Sequence, residues 1–214
     1  MLLRQLEEAG VAVDSTAAEN LGRFARAVLE WNDRLNLVSR RDAANVFRKH
    51  IAASAGVLTV AEPQIGERWV DVGTGAGFPG VVIKILRPQL VITLVESSHK
   101  RCVFLEAIVR ELGLTSVDVR AMRAETLLGR DGAEHNFDLL TSRAVSSLEE
   151  SVREFAGLLR PGGRFLTFKG PSWEAELAAA QTALTAAGLR FVETREMPWV
   201  TGRIVVLEKN ASTT

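Results

Sequence analysis

The chain has 214 residues, 47% of them hydrophobic, which is enough to bury a full core, so one compact domain with an extension is expected. Lys and Arg number 26, as do Asp and Glu, so a nucleic-acid partner must be met by a local patch and not by the field of the whole molecule. The single Cys102 excludes an intramolecular disulfide and a multi-cysteine zinc site, while the early charges of M-L-L-R-Q-L-E-E and the lack of a long apolar run exclude a signal peptide and a membrane span. A cytoplasmic, metal-free monomer is the expectation.

Residues 1 to about 60 form a helical extension, because Leu21, Phe24, Ala25, Val28, Leu29, Leu35 and Leu37 recur at three- and four-residue steps. Ser15 or Thr16 is placed to cap its main helix, with Glu19 completing a capping box. A second helix is expected from about Asp42 to Val60. The densest basic stretch of this half, R-R-D-A-A-N-V-F-R-K-H at 40 to 50, reads either as a solvated helix face or as an RNA contact.

From residue 61 onward, short apolar runs alternate with helical patterns. Strands are expected near 68–73, 90–95, 116–121, 136–142, 163–169, 190–196 and 203–208, with helices near 78–86, 98–111, 147–159 and 172–187. Such alternation gives a parallel, doubly wound α/β sheet. The last two strands are joined only by P-W-V-T-G, too short for a crossover helix, so they pair antiparallel. A seven-stranded, mostly parallel sheet closed by an antiparallel hairpin is the S-adenosylmethionine-dependent methyltransferase (class I) version of the Rossmann-like architecture.

The turn after the first strand, D-V-G-T-G-A-G-F-P-G at 71 to 80, is the expected ligand site. A dinucleotide fingerprint starting at Gly73 would need a glycine at 78, where Phe78 stands, and Pro79 removes a backbone donor that a pyrophosphate would want. A cofactor without phosphates is therefore favoured, with S-adenosylmethionine the common one, and Asp71, Gly73, Gly75, Gly77 and Phe78 form its turn. Glu96, ending strand two, is placed to take a ribose diol; Ala124 and Glu125, after strand three, are placed to meet the adenine edge. Arg143, ending strand four, is placed to hold the cofactor carboxylate or a substrate phosphate. Lys169 and Arg203 reach the same rim by the same counting, so the three cations are expected to converge on one mouth.

Missing residues narrow the chemistry. Cys102 sits in the apolar helical pattern C-V-F-L and reads as structural, so a cysteine nucleophile for carbon methylation is not expected. The loop after strand four is S-R-A-V-S, not the Asn/Asp-Pro-Pro-aromatic loop of exocyclic-amine methylation. An acceptor with a ready lone pair, such as guanine N7, fits what remains and needs no general base. A nucleotide-dependent oxidoreductase and a catalytically silent binding protein stay open at this point.

Taken together, W-N-x-x-x-N-L-V-S at 31–39, His50 with Ser54, the glycine stretch at 71–80, E-S-x-x-K-R-x-x-F-L at 96–105, R-A-E at 123–125, S-R-A at 142–144, K-G at 169–170 and G-R at 202–203 resemble the glucose-inhibited division protein B family. The resemblance implies methyl transfer to N7 of a guanine in the decoding-region loop of 16S rRNA, with the small ribosomal subunit or its RNA as partner. It implies cofactor contacts at Gly73, Phe78, Ala124, Glu125 and Arg143 with Glu96 beside the ribose, and RNA contacts at Arg40, Arg41, Arg48, Lys49, His50, Lys169 and Arg203. Arg143 and Lys169 are the candidates for a catalytic role. One position departs from the family pattern: Ala53 stands where H-x-x-D-S has an aspartate.

Overall fold

The computed structural model describes residues 4, 6, 7, 10–128, 136–143, 145–197 and 200–211. Its centre is a seven-stranded sheet of order β3-β2-β1-β4-β5-β7-β6. The strands are β1 (Arg68–Val72), β2 (Val91–Glu96), β3 (Val117–Ala121), β4 (Phe137–Arg143), β5 (Leu159–Lys169), β6 (Leu189–Glu196) and β7 (Arg203–Lys209). The first five pair in parallel, and β7 runs antiparallel between β5 and β6. The expected sheet and closing hairpin are thus present; Pro198 and Trp199 of the link, Ala144 and the tail 212–214 lie outside the described residues.

The helices follow from periodicity. In α1 (Ser15–Leu35), Leu21, Phe24, Ala25 and Val28 are buried on one face. Its cap is Asp14, whose carboxylate accepts from the Ala17 N–H at 2.7 Å, so neither Ser15 nor Thr16 fills that position. The end is set by Asn36 in a left-handed conformation. Behind it α2 (Arg40–Ala43) is a single turn capped by Ser39. The long helix expected from Asp42 to Val60 is instead broken into α2, a π-helical turn at Phe47–Ala52, an α turn at Ala53–Ala55 and a 3-10 turn at Gly56–Thr59.

The remaining helices are α3 (Gly80–Leu86), α4 (His99–Glu111), α5 (Leu148–Phe155), α6 (Trp173–Ala179) and α7 (Gln181–Ala187). They divide between the two faces of the sheet. On one, α1, the 47–59 segment, α3 and α4 share an apolar cluster that includes Phe24, Ile51, Trp69, Ile83, Leu94 and Phe104. On the other, α5 and α7 pack over Val70, Val72, Leu140, Phe165 and Val205. In the five inner strands neighbouring residues feed opposite clusters, as the pleat requires, while the edge strands β3 and β6 each feed one. No helix among the described residues is long and apolar enough to cross a membrane.

Candidate functional site

The site is built where β1 stops. Gly73, Gly75 and Gly77 take φ of +67°, +59° and +92°, so the chain reverses in a tight turn before α3. At Gly73 a side chain is doubly excluded, because a Cβ would also lie 2.6 Å from Val145 Cγ2. The turn is held from beneath by Asp71. This fully buried carboxylate accepts the Gly80 N–H at 2.8 Å and the Thr141 hydroxyl at 2.8 Å, and Thr141 in turn accepts from the Trp69 indole at 3.2 Å. Burial pushes the Asp71 carboxyl up to about 6, against the pull of these hydrogen bonds and of the Arg143 charge. Asp71 therefore positions the turn and does not line the cavity above it.

That cavity, of about 250 Å³, opens beside Gly73 over the carboxyl ends of β1 and β2. Its apolar wall comes from Val72, Val95, Met122, Val145 and Phe155, and its polar edge from Ala124 and Glu125 of the 3-10 turn after β3 together with Glu154 of α5. Glu154 was not expected at the site. Burial, with the nearby charges of Glu125 and Glu150, raises its carboxyl, and among the described residues it has no hydrogen-bond or ion-pair partner. No periodicity marked it, because Glu154 lies beside and not within the buried stripe of Leu148, Ser151, Val152 and Phe155 in α5.

Glu96 is buried and occupied by backbone: one oxygen accepts the Gly75 N–H at 3.0 Å, the other the Ser98 N–H at 2.8 Å, and Arg101 lies 3.8 Å away. It ties the glycine turn to the start of α4, with the adjacent Ser97 on the cavity wall. Cys102 is buried with its Sγ 3.3 Å from the Glu96 carbonyl, and burial pushes the thiol up, which suits a structural role.

The other side of the turn carries a second polar group. The Phe78 ring packs on His50 with centroids 4.8 Å apart, and Arg143 donates to the Lys49 carbonyl at 2.8 Å while its guanidinium lies over Phe168. The π turn thus sits directly against the glycine turn and the end of β4. Among the described residues, His50 Nε2, Ser54 Oγ and Arg143 Nη1 are buried without a partner. Burial first, and the Arg143 charge second, lower His50 to about 4, so the ring is neutral at pH 7. Buried polar atoms left unpaired are costly, and the Nη1 donor is the group here suited to an anionic ligand.

The three cations expected at one mouth do not converge. Arg143 pairs in register with Phe168 and shares its face of the sheet, whereas Lys169, the next residue of β5, pairs with Arg203 on the opposite face. Lys169 is buried, donating to the Ser146 carbonyl and bridging Glu176 at 3.0 Å; Arg203 lies over Trp173 and bridges Glu196 at 2.8 Å. Lys169 and Arg203 are thus each held by an acid on the face of the sheet opposite Arg143, and do not share a mouth with it. His50 is likewise turned inward. In the basic stretch Lys49 is paired with Asp42, and Arg40, Arg41 and Arg48 are exposed.

Ala53 is fully buried in the apolar cluster beside this group. Ala53→Asp is expected to destabilise the protein by about 1–3 kcal/mol, the usual cost of an uncompensated polar group in a core, read as a lower Tm. An unchanged Tm would show that the neighbourhood already supplies a partner for the family carboxylate.

Residues 17–198 match the GidB family, described as rRNA small subunit methyltransferase G. The chain is 39% identical over 207 residues to a ribosomal RNA small subunit methyltransferase G of Sorangium cellulosum, covering 96% of this chain and 85% of that protein. It is 40% identical over 202 residues to the protein of the same name from Symbiobacterium thermophilum, covering 92% and 82%. Among solved structures, a point mutant of MtNAS in complex with S-adenosylmethionine superposes with a TM-score of 0.62 over 90% of this chain and 76% of that one, at 15% identity, a likeness of fold.

Proposed function

Because the chain belongs to the GidB family, the rRNA small subunit methyltransferase G proteins, we propose that it transfers the methyl group of S-adenosylmethionine to N7 of a guanine in the decoding-region loop of 16S rRNA. What carries the reading is the extent of the match, which takes in the glycine turn, the cavity and the basic segment together. Action on small-subunit RNA supports a cytoplasmic location for this reading.

The residues present suit the cofactor. Gly73 lines the cavity with backbone alone, and the wall of Met122, Val95 and Phe155 suits a flat base. Ala124, Glu125 and Glu154 would face the adenine edge, Ser97 and the end of β2 the ribose, and the unfilled Arg143 Nη1 the carboxylate. The cofactor, when bound, supplies a methyl group on a positively charged sulfur.

The chain's own part is positioning. Guanine N7 carries an in-plane lone pair, so no proton has to be removed before attack, and holding two reactants in line in a water-poor site supplies the acceleration. His50 fits this scheme: neutral at pH 7, it packs on Phe78 without adding a second positive charge beside Arg143. Cys102, buried and protonated, takes no part.

The test is methyl transfer from labelled S-adenosylmethionine to small ribosomal subunits from cells lacking the activity, with the modified base mapped by cleavage at 7-methylguanine. Label at another base overturns the acceptor. No label, with S-adenosylmethionine still raising the Tm, leaves a silent binder; a Tm raised by NAD(H) alone returns the chain to the oxidoreductases.

A further inference from the structure

The sheet separates two surfaces that differ in how their cations are paired. On the α5 and α6 side Lys169 and Arg203 are spent on Glu176 and Glu196. On the opposite side Arg34, Arg40, Arg41, Arg48 and Lys100 are exposed and make no ion pair among the described residues. Asp42, the one acid between Ser39 and Lys49, is already committed to Lys49.

These cations are brought together by packing. Helices α1 and α4 run antiparallel, since Arg23 reaches the Glu111 carbonyl at 2.8 Å and Trp31 meets Phe104 at 5.6 Å, so the end of α1 with Arg34 approaches the start of α4 with Lys100. The Asp42–Lys49 bridge draws Arg40 and Arg41 against the π turn. The resulting arc borders the glycine turn twice, through Arg101 beside Glu96 and through His50 on Phe78. Within it Phe47 is 36% exposed, an aromatic ring standing between cations.

We infer that single-stranded rRNA is gripped on this amino-terminal face, with Arg40, Arg41, Arg48 and Lys100 on phosphates and Phe47 as a platform on which one base stacks. Unpaired arginines with an interposed aromatic ring are what loops with splayed bases require, whereas a duplex would offer no free base face. The inference rests on the proposed function and adds the surface that serves it.

The experiment measures kcat/KM on small ribosomal subunits over a series of salt concentrations, with the donor Kd as a check on folding. In an Arg41→Ala, Arg48→Ala double variant, the slope of log kcat/KM against log salt is expected to fall by about 1.4, two phosphates at about 0.7 each for single strands. Phe47→Ala is expected to lose about tenfold or more with the donor Kd unchanged, and Phe47→Trp to recover most of it. A photoreactive benzoylphenylalanine at position 47 is expected to crosslink to rRNA. An unchanged salt slope, a larger loss from Arg203→Ala, or a crosslink to a ribosomal protein would overturn the assignment. Absence of transfer by the unaltered protein would take down the proposed function itself, a different result from transfer that these variants do not affect.

Discussion

Asp71→Ala is expected to cost about 2–6 kcal/mol of stability, because it strands two buried donors, the Gly80 N–H and the Thr141 hydroxyl, at about 1–3 kcal/mol each. For a chain of this size that lowers Tm by on the order of 10 °C. The loss exceeds that of an ordinary loop acid because Asp71 is fully buried and joins β1, β4 and the first turn of α3. A Tm within about 2 °C of the unaltered protein would show that the turn is held by its glycines alone.

Through the same carboxyl the stability of the protein depends on pH. Folding raises Asp71 from 3.8 to about 6, so between these values the folded state keeps a proton that the unfolded chain has released. The stability it contributes is full below about pH 4 and is lost as pH rises to about 6. His50 works in the other direction: folding lowers it from 6.5 to about 4, the unfolded chain binds the extra proton, and stability rises with pH across nearly the same window. The two slopes oppose each other. Urea unfolding from pH 4 to 6.5 should therefore show a rising curve for Asp71→Asn and a falling one for His50→Gln. Parallel curves for the two variants would remove both assignments.

The sheet was legible because each strand is a short apolar run bounded by turn residues, and the hairpin because P-W-V-T-G is too short for a crossover. The glycine turn was legible from its spacing alone. What could not be read was which face each rim cation takes. That depends on Arg143 standing opposite Phe168 and not Lys169, and a one-residue difference in register moves a side chain through the sheet. The π turn was hidden for a related reason: apolar Val46, Ile51 and Ala55 fit a continuous helix well enough, and the extra residue per turn appears only once His50 is seated on Phe78. Glu96 was placed correctly at the end of β2, but its two oxygens proved to bind backbone, a partnership that charge and spacing do not encode.

Arg143→Ala is expected to weaken S-adenosylmethionine binding by about 1–3 kcal/mol, roughly 5- to 150-fold in Kd, if the guanidinium donates a charged hydrogen bond to the donor's carboxylate. The surface ion pair that would explain an arginine at a strand end is absent among the described residues: Nη2 is spent on the Lys49 carbonyl at 2.8 Å, the plane lies over Phe168, and Nη1 is buried with nothing to bind. Arg143→Lys should recover little, because one ammonium cannot fill the positions of two guanidinium nitrogens that point at different acceptors. Two readouts separate binding from architecture. If Arg143 serves the donor, calorimetric Kd rises in both variants while S-adenosylhomocysteine stripped of its amino-acid carboxylate binds variant and unaltered protein alike. If it serves only to pin the π turn through Lys49, Tm falls and the two ligands lose affinity in equal measure. An unchanged Kd for S-adenosylmethionine would refute the contact outright and leave the buried Nη1 in need of another partner.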